Sequence, residues 1–442
     1  MLLSILVLYL LTLLIIGILS YSGYKTESYF FSNYKIKGKG LFFSLVASII
    51  GGSSTVGLIG LASKVGLPAS WWLLSGSVGL FILYFISDKL FLLKINTISD
   101  VFRIFYSDKV EKLSSLLIAI AWTGIIAGQI IAASKLFNLF LNYDNLNILN
   151  AIFLAVVIFY VFLGGQKAVI RTDKVQFFIL LPALILLLIL LIFKVNFDEI
   201  NTDFFVFPYN KYFSSLDVAS LFLVIFPMYL VGPDIYSRIL STKDKKIAKN
   251  SILITAFSLI GFAILISFIG ILGKKLVGIQ GEQLVFKLIL HGFPKVFEII
   301  ILLGFLSAFL SSADTCFLTA TSLISLNLFK GNKKKNKNLI VIITYAVFVF
   351  FIMLKFQTIL KALLFGYKIF VAGLFFPFIM PLIWKENKFY EWTVYTTMLW
   401  ALLINIYGLF YKIPYSGIVI FFGSFSVFTL SNFLYKKIKT GN

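Results

Sequence analysis

The chain has 442 residues, 60% of them hydrophobic and only 13% charged, with a net charge of +21. So few charges cannot give a chain of this length the polar skin of a soluble protein. Its repeated apolar stretches of about 18 or more residues read instead as membrane-spanning helices, too uniformly apolar for the alternating strands of a transmembrane barrel.

In chain order, the apolar runs predict about 13 spans, near residues 1–22, 41–66, 68–93, 114–140, 147–164, 174–195, 215–240, 247–273, 294–329, 338–356, 361–384, 390–410 and 415–435. The expected fold class is an all-α polytopic membrane protein. The first run, LLSILVLYLLTLLIIGILSY, lacks the basic start and short apolar core of a cleaved signal and is kept as a helix. With the N-terminus outside, about 27 of the 39 Lys and Arg fall on the cytoplasmic side. The clusters are Lys35/Lys37/Lys39, Lys243/Lys245/Lys246 and Lys333/Lys334/Lys335. That bias fixes a multi-pass orientation in the plasma (cytoplasmic) membrane with the C-terminus in the cytoplasm. It accounts for the basic charge without a nucleic-acid partner and lets the loops touch anionic lipid. Asp198, Glu199 and Asp203 fall outside. The single cysteine, Cys316, excludes an internal disulfide framework and a four-cysteine metal site. The single histidine, His291, sits in an outer loop and excludes a multi-histidine centre, so no enzyme is expected and no cofactor is implied.

Four segments break the apolar pattern. Leu45 to Gly66 contains Gly51-Gly52 followed by Ser53-Ser54-Thr55. Adjacent glycines weaken a helix by about 1 kcal/mol each relative to Ala. Unwinding there would free carbonyls at mid-membrane depth for a cation. Close helix packing through small residues explains the segment equally well.

Gly164 to Phe178, GGQKAVIRTDKVQFF, places Asp173 at the expected opening of a long apolar helix. There its charge would complement the helix dipole or receive a cation leaving the core. In FPMYLVGPDIYSRILSTKDKK, Pro227 and Gly232-Pro233 interrupt the seventh span, five spans after the broken second one. Interruptions in corresponding positions of two halves point to a transporter site built on inverted repeats.

Ala308, Ser311, Ser312 and Thr315 recur at i, i+3, i+4 and i+7 and share one helix face, next to Asp314. Their hydroxyls suit a hard cation such as Na⁺, although each could also bond back to its own helix. Lys368 lies inside a span and is expected to reach for its edge.

Together these segments resemble the sodium:solute symporter family, from about Lys35 to Lys388. The resemblance rests on ASIIGGSSTVGLIG, GGQKAVIRTDKVQ, VGPDIYSRILSTKDKKIAKNS and SAFLSSADT in their order and spacing. It implies a LeuT-like core of two inverted five-helix repeats, with residues 41–195 and 196–384 as the repeats. Residues 1–40 would form an extra helix and cytoplasmic loop, and 385–442 two C-terminal helices. It further implies a sodium site from the carbonyls of Ala47, Ile50 and Ala308 and the hydroxyls of Ser311 and Ser312. A second sodium or an exit path would involve Asp173, Ser311, Asp314 and Thr315. The chain departs from the family by carrying Asp314 where the sialic acid carriers have a hydroxyl, and Arg171 where an aromatic residue is common.

The implied solute lining is Ser53, Ser54, Trp72, Ser75, Gln129, Phe226 and Tyr229. The positions that hold acids and amides in sugar carriers are Ser53, Ser54 and Leu73 here, so an amino acid or carboxylate is expected over a sugar. Free amides at a broken helix end would suit a carboxylate. The resemblance thus implies sodium-coupled import of a small organic solute by alternating access, with sodium ion, solute and lipid bilayer as partners. A proton-coupled carrier of the same fold, titrating at Asp173 and Asp314, and a solute-sensing membrane receptor are the alternatives.

Overall fold

The computed structural model describes residues 2–21, 29–30, 36, 38–141, 143, 145–329, 335–356, 359–384, 389–411 and 413–440. Lys35, Lys37, Lys333 and Lys334 of the basic clusters lie outside the described residues.

The long helices are α1 (Leu2–Leu19), α2 (Gly38–Ile49), α3 (Leu58–Val65), α4 (Trp71–Leu92), α5 (Asp108–Leu141), α6 (Leu146–Lys194), α7 (Ser215–Val231) and α8 (Pro233–Ile239). After them come α9 (Lys245–Val277), α10 (Lys295–Leu323), α11 (Lys335–Met353), α12 (Ile359–Gly373), α13 (Phe375–Ile383), α14 (Glu391–Phe410) and α15 (Ser416–Thr440). Among the described residues, eight helical stretches are long and apolar enough to cross a membrane, or nine when the bent pair α2 and α3 counts as one. This test does not reach the thirteen expected. Ser4–Leu19 and Asn338–Met353 are apolar but shorter, and the fifth and sixth expected spans follow one another within the 49 residues of α6, as two helices parted by a kink at Gly165.

The place of that kink corrects one expectation. The GGQKAVIRTD segment is helical, and Gly165 alone leaves helical geometry, at φ 54° and ψ −145°. Glycine takes a positive φ without the clash of a Cβ, which here would also meet the carbonyl of Tyr29. Asp173 therefore does not open a helix. It lies roughly two turns beyond the kink, fully buried. A second correction concerns α7, which runs through Pro227 unbroken; the interruption falls at Gly232.

The helices sort by what surrounds them. Phe193 is 84% exposed, Leu92 80% and Phe410 78%, and many other large apolar side chains are exposed with them, as suits an exterior facing hydrocarbon. In contrast, every residue of α10 from 304 to 321 is buried. It packs on α5, α6 and α2, while α9 covers α4 and α3, and α12 lies against α5. A helix enclosed by protein can carry hydroxyls and a carboxylate that a lipid-facing helix cannot.

Candidate functional site

Three of the expected breaks in the apolar pattern meet at α10. The first is the junction of α2 and α3, which bends by 58°. The amide of Gly51 donates to Ile49 O at 3.0 Å. A continuous helix would send it to the carbonyl of Ala47 instead. Ser53–Gly57 then forms a π-helical turn, a form concentrated at functional sites. Ser54 and Thr55 bond back to the bend before this turn, Ser54 Oγ to Ile49 O at 2.6 Å and Thr55 Oγ1 to Gly51 O at 2.7 Å.

Helix α10 touches the break directly. Ser312 Oγ donates to Ser48 O at 2.8 Å. Gln129, from α5, accepts from the amide of Gly52 at 2.7 Å. A Cβ at Gly51 would lie 2.8 Å from Ser312 Cβ and 3.0 Å from Gln129 Nε2, so only glycine permits this approach.

Ser311, one residue away, faces a different partner. Its hydroxyl donates to Asp173 Oδ1 at 2.7 Å. Asp173 also accepts from Ser44 Oγ at 2.5 Å and from Arg238 Nη2 at 2.9 Å. Arg238 and Asp173 are both fully buried. The guanidinium further contacts Ser44 Oγ, Ser237 Oγ and Thr315 Oγ1. Asp314 receives Tyr160 OH at 2.7 Å, Thr315 Oγ1 at 3.2 Å and Thr172 Oγ1 at 3.4 Å. Two carboxylates and one guanidinium leave this buried cluster one formal negative charge in excess.

The structure thus brings Ser312 to Ser48 at the bend and gathers Ser311, Asp173, Asp314 and Thr315 in the adjacent acidic cluster; Ala308 lies one turn before Ser312 on α10, and Ala47 and Ile50 flank Ser48 and Ile49 in the chain. Arg171 stands apart, donating to Leu19 O and Ser20 Oγ at the end of α1. Lys368, on α12, is half-buried.

Beside the bend lies a small cavity of about 40 Å³. Of the expected solute lining, Ser53, Gln129 and Tyr229 border it. Ser53 Oγ is 3.0 Å from Tyr367 OH, and Trp72 stands behind that ring, with centroids 6.4 Å apart. Ser54, Trp72, Ser75 and Phe226 do not border the cavity. Ser75 Oγ donates to Trp71 O of its own helix, and Phe226 stacks on Phe222 and meets Phe375 and Phe421 edge-on or tilted. An aromatic residue in a helix carries no local mark of which neighbour it faces.

The residue reading missed Arg238, Asp234, Trp122 and Tyr367. The charged pair had a signal: Asp234 and Arg238 follow directly on the Gly232-Pro233 break within an apolar span. The two rings had none.

The sodium:solute symporter family matches residues 29–386. The chain belongs to that family. A sodium/pantothenate symporter of Haemophilus influenzae is 25% identical over 333 residues, 69% of this chain and 66% of that protein. Sodium/proline symporter 2 of Staphylococcus saprophyticus is 28% identical over 296 residues, 62% of this chain and 55% of its own. The matched stretch is therefore just under two thirds of the first relative and just over half of the second. A Na⁺-coupled sialic acid symporter in a substrate-bound, outward-open state shares the fold, with a TM-score of 0.80 over 97% of this chain and 96% of that one at 17% identity. This family member accordingly has the LeuT-like architecture, with its broken helix packed on α10.

Proposed function

We propose that the chain is a sodium-coupled symporter that imports a small organic solute by alternating access. It would act as a carrier and not an enzyme, with Na⁺ as coupling ion and no other cofactor. Relatives named as sodium symporters of pantothenate and proline support this reading. The observation that carries it is the contact of Ser312 with Ser48 O, which fastens the hydroxyl helix to the bend of α2. An ion held by the carbonyls of Ala47, Ile50 and Ala308 and the hydroxyls of Ser311 and Ser312 would tie the same two elements and preorganise the cavity beside them. Ion and solute then favour one another equally, by linkage. The proposed setting is the cytoplasmic membrane, N-terminus outside, with residues 41–195 and 196–384 as the two repeats.

The purified protein should unfold at a higher temperature in sodium than in potassium, since a ligand of the native state raises apparent stability. Ser312→Ala removes one neutral hydrogen bond, worth about 1 kcal/mol. It should fold but lose most of the sodium response. A full sodium response in that variant would overturn the assigned cage.

The excess negative charge at Asp173, Arg238 and Asp314 favours a second reading, in which a proton neutralises Asp314 and drives transport. Solute uptake that persists when choline replaces sodium at fixed pH would select it.

A further inference from the structure

Asp234 is the second residue of α8, directly after the Gly232 break, and it borders the cavity. Its Oδ1 is buried without a hydrogen-bond partner. A Cβ at Gly232 would come within 2.8 Å of that oxygen, so the glycine keeps the carboxylate where it is. The cation one turn along, Arg238, is engaged elsewhere, with Asp173, Ser44, Ser237 and Thr315. None of the residues bordering the cavity is Lys, Arg or His. Asp234 feels Arg238 one turn along but forms no ion pair of its own among the described residues, and a partly buried carboxylate in that position is costly unless a cation completes it.

The rest of the wall fits a cation on nitrogen. Trp122, Tyr229 and Tyr367 border the same space. Aromatic faces attract organic cations through the ring quadrupole, most strongly where water is excluded. The backbone, by contrast, offers little to an anion. The amides of Ile235 and Tyr236 both donate to Gly232 O, Gly52 N donates to Gln129, and Gly51 N donates to Ile49 O. The carboxylate capture expected at a broken helix end has lost these four donors.

We propose that the solute of this carrier bears a positively charged nitrogen, an amine or quaternary ammonium, paired with the Asp234 carboxylate and faced by Trp122, Tyr229 and Tyr367. This deepens the symporter reading and rests on it. Simple monocarboxylates and neutral sugars are then poor ligands. An amino acid qualifies through its ammonium group, and a diamine or quaternary amine qualifies outright.

The test is thermal unfolding of the purified full chain in sodium, with trimethylammonium, L-lysine, acetate and glucose as probes. The amines should raise the unfolding temperature and acetate and glucose should not. Asp234→Asn should weaken amine binding at least roughly tenfold, the loss of a charge-assisted contact, and Asp234→Glu should retain part of it. The sodium shift measured in the same variants reports that they are folded. Stabilisation by acetate but not by amines, or an amine shift that survives in Asp234→Asn, would overturn the assignment. So would the absence of any amine shift while sodium still stabilises the wild-type chain, which leaves the symporter reading standing. If sodium itself gives no shift in the wild type, the symporter reading fails, and the amine assignment falls with it.

Discussion

Ser311 and Ser312 are adjacent in sequence yet serve different neighbours, one the Asp173 carboxylate and the other the Ser48 carbonyl. Successive helical residues point about 100° apart, so one pair of hydroxyls can stitch α10 to two other helices at once. Asp173 shows how much a single charge commits the fold. It is fully buried and ion-paired to an equally buried Arg238. Removing one member of such a pair strands the other in a low dielectric, at a cost of about 3–5 kcal/mol, while replacing both by apolar groups costs far less. Arg238→Met should therefore destabilise the protein strongly, and Arg238→Met combined with Asp173→Leu should recover much of the loss. Denaturant unfolding of the two single variants and the double variant checks this as a cycle. Simple additivity would show that the two groups do not depend on each other.

At the scale of elements, the bend between α2 and α3 requires that α10 come close. The glycine at position 51 leaves that space open, and a methyl group there would fall 2.8 Å from Ser312 Cβ. Gly261, on α9, has nothing within 4 Å of the same added atom. Gly51→Ala should thus abolish the sodium-dependent shift in unfolding temperature and lower stability. Gly261→Ala should leave the shift intact and stabilise α9 by up to about 1 kcal/mol. Equal effects of the two substitutions would show that the approach of α10 is not the constraint. The double glycine and the hydroxyl face were legible in the sequence because each violates the local rule for a lipid-facing helix. The break at Gly164-Gly165 was legible, but the next helix resumes at once and places Asp173 about two turns inside it, since Gly-Gly followed by charges does not show where the following helix starts. What Asp173 pairs with could not be read at all. Arg238 lies 65 residues away, and nothing short of the packed structure sets that distance to zero.

For the whole molecule, enclosure explains the composition. The apolar surplus divides between a lipid-facing exterior and the packing around α10, and the few polar groups gather where protein covers them on all sides. The architecture was readable from span lengths and the order of four motifs, but the cavity was not, because its wall draws on α2, α5, α7, α8, α10 and α12 and on the turn that starts at Ser53. If one sodium ion crosses with each solute, a potential of 100 mV contributes about 2.3 kcal/mol. That supports roughly fiftyfold accumulation before any concentration gradient is counted.

The Arg238–Asp173 pair spans the two proposed halves of the chain, from α8 to α6. Drawing those helices apart would strand a buried ion, so the proposed alternating-access cycle would pivot there, with its gates on either side. Spin labels on α6 and α8 should report one constant separation with and without sodium, while labels on α3 and α12 should not; a separation between α6 and α8 that changed with sodium would remove the pivot.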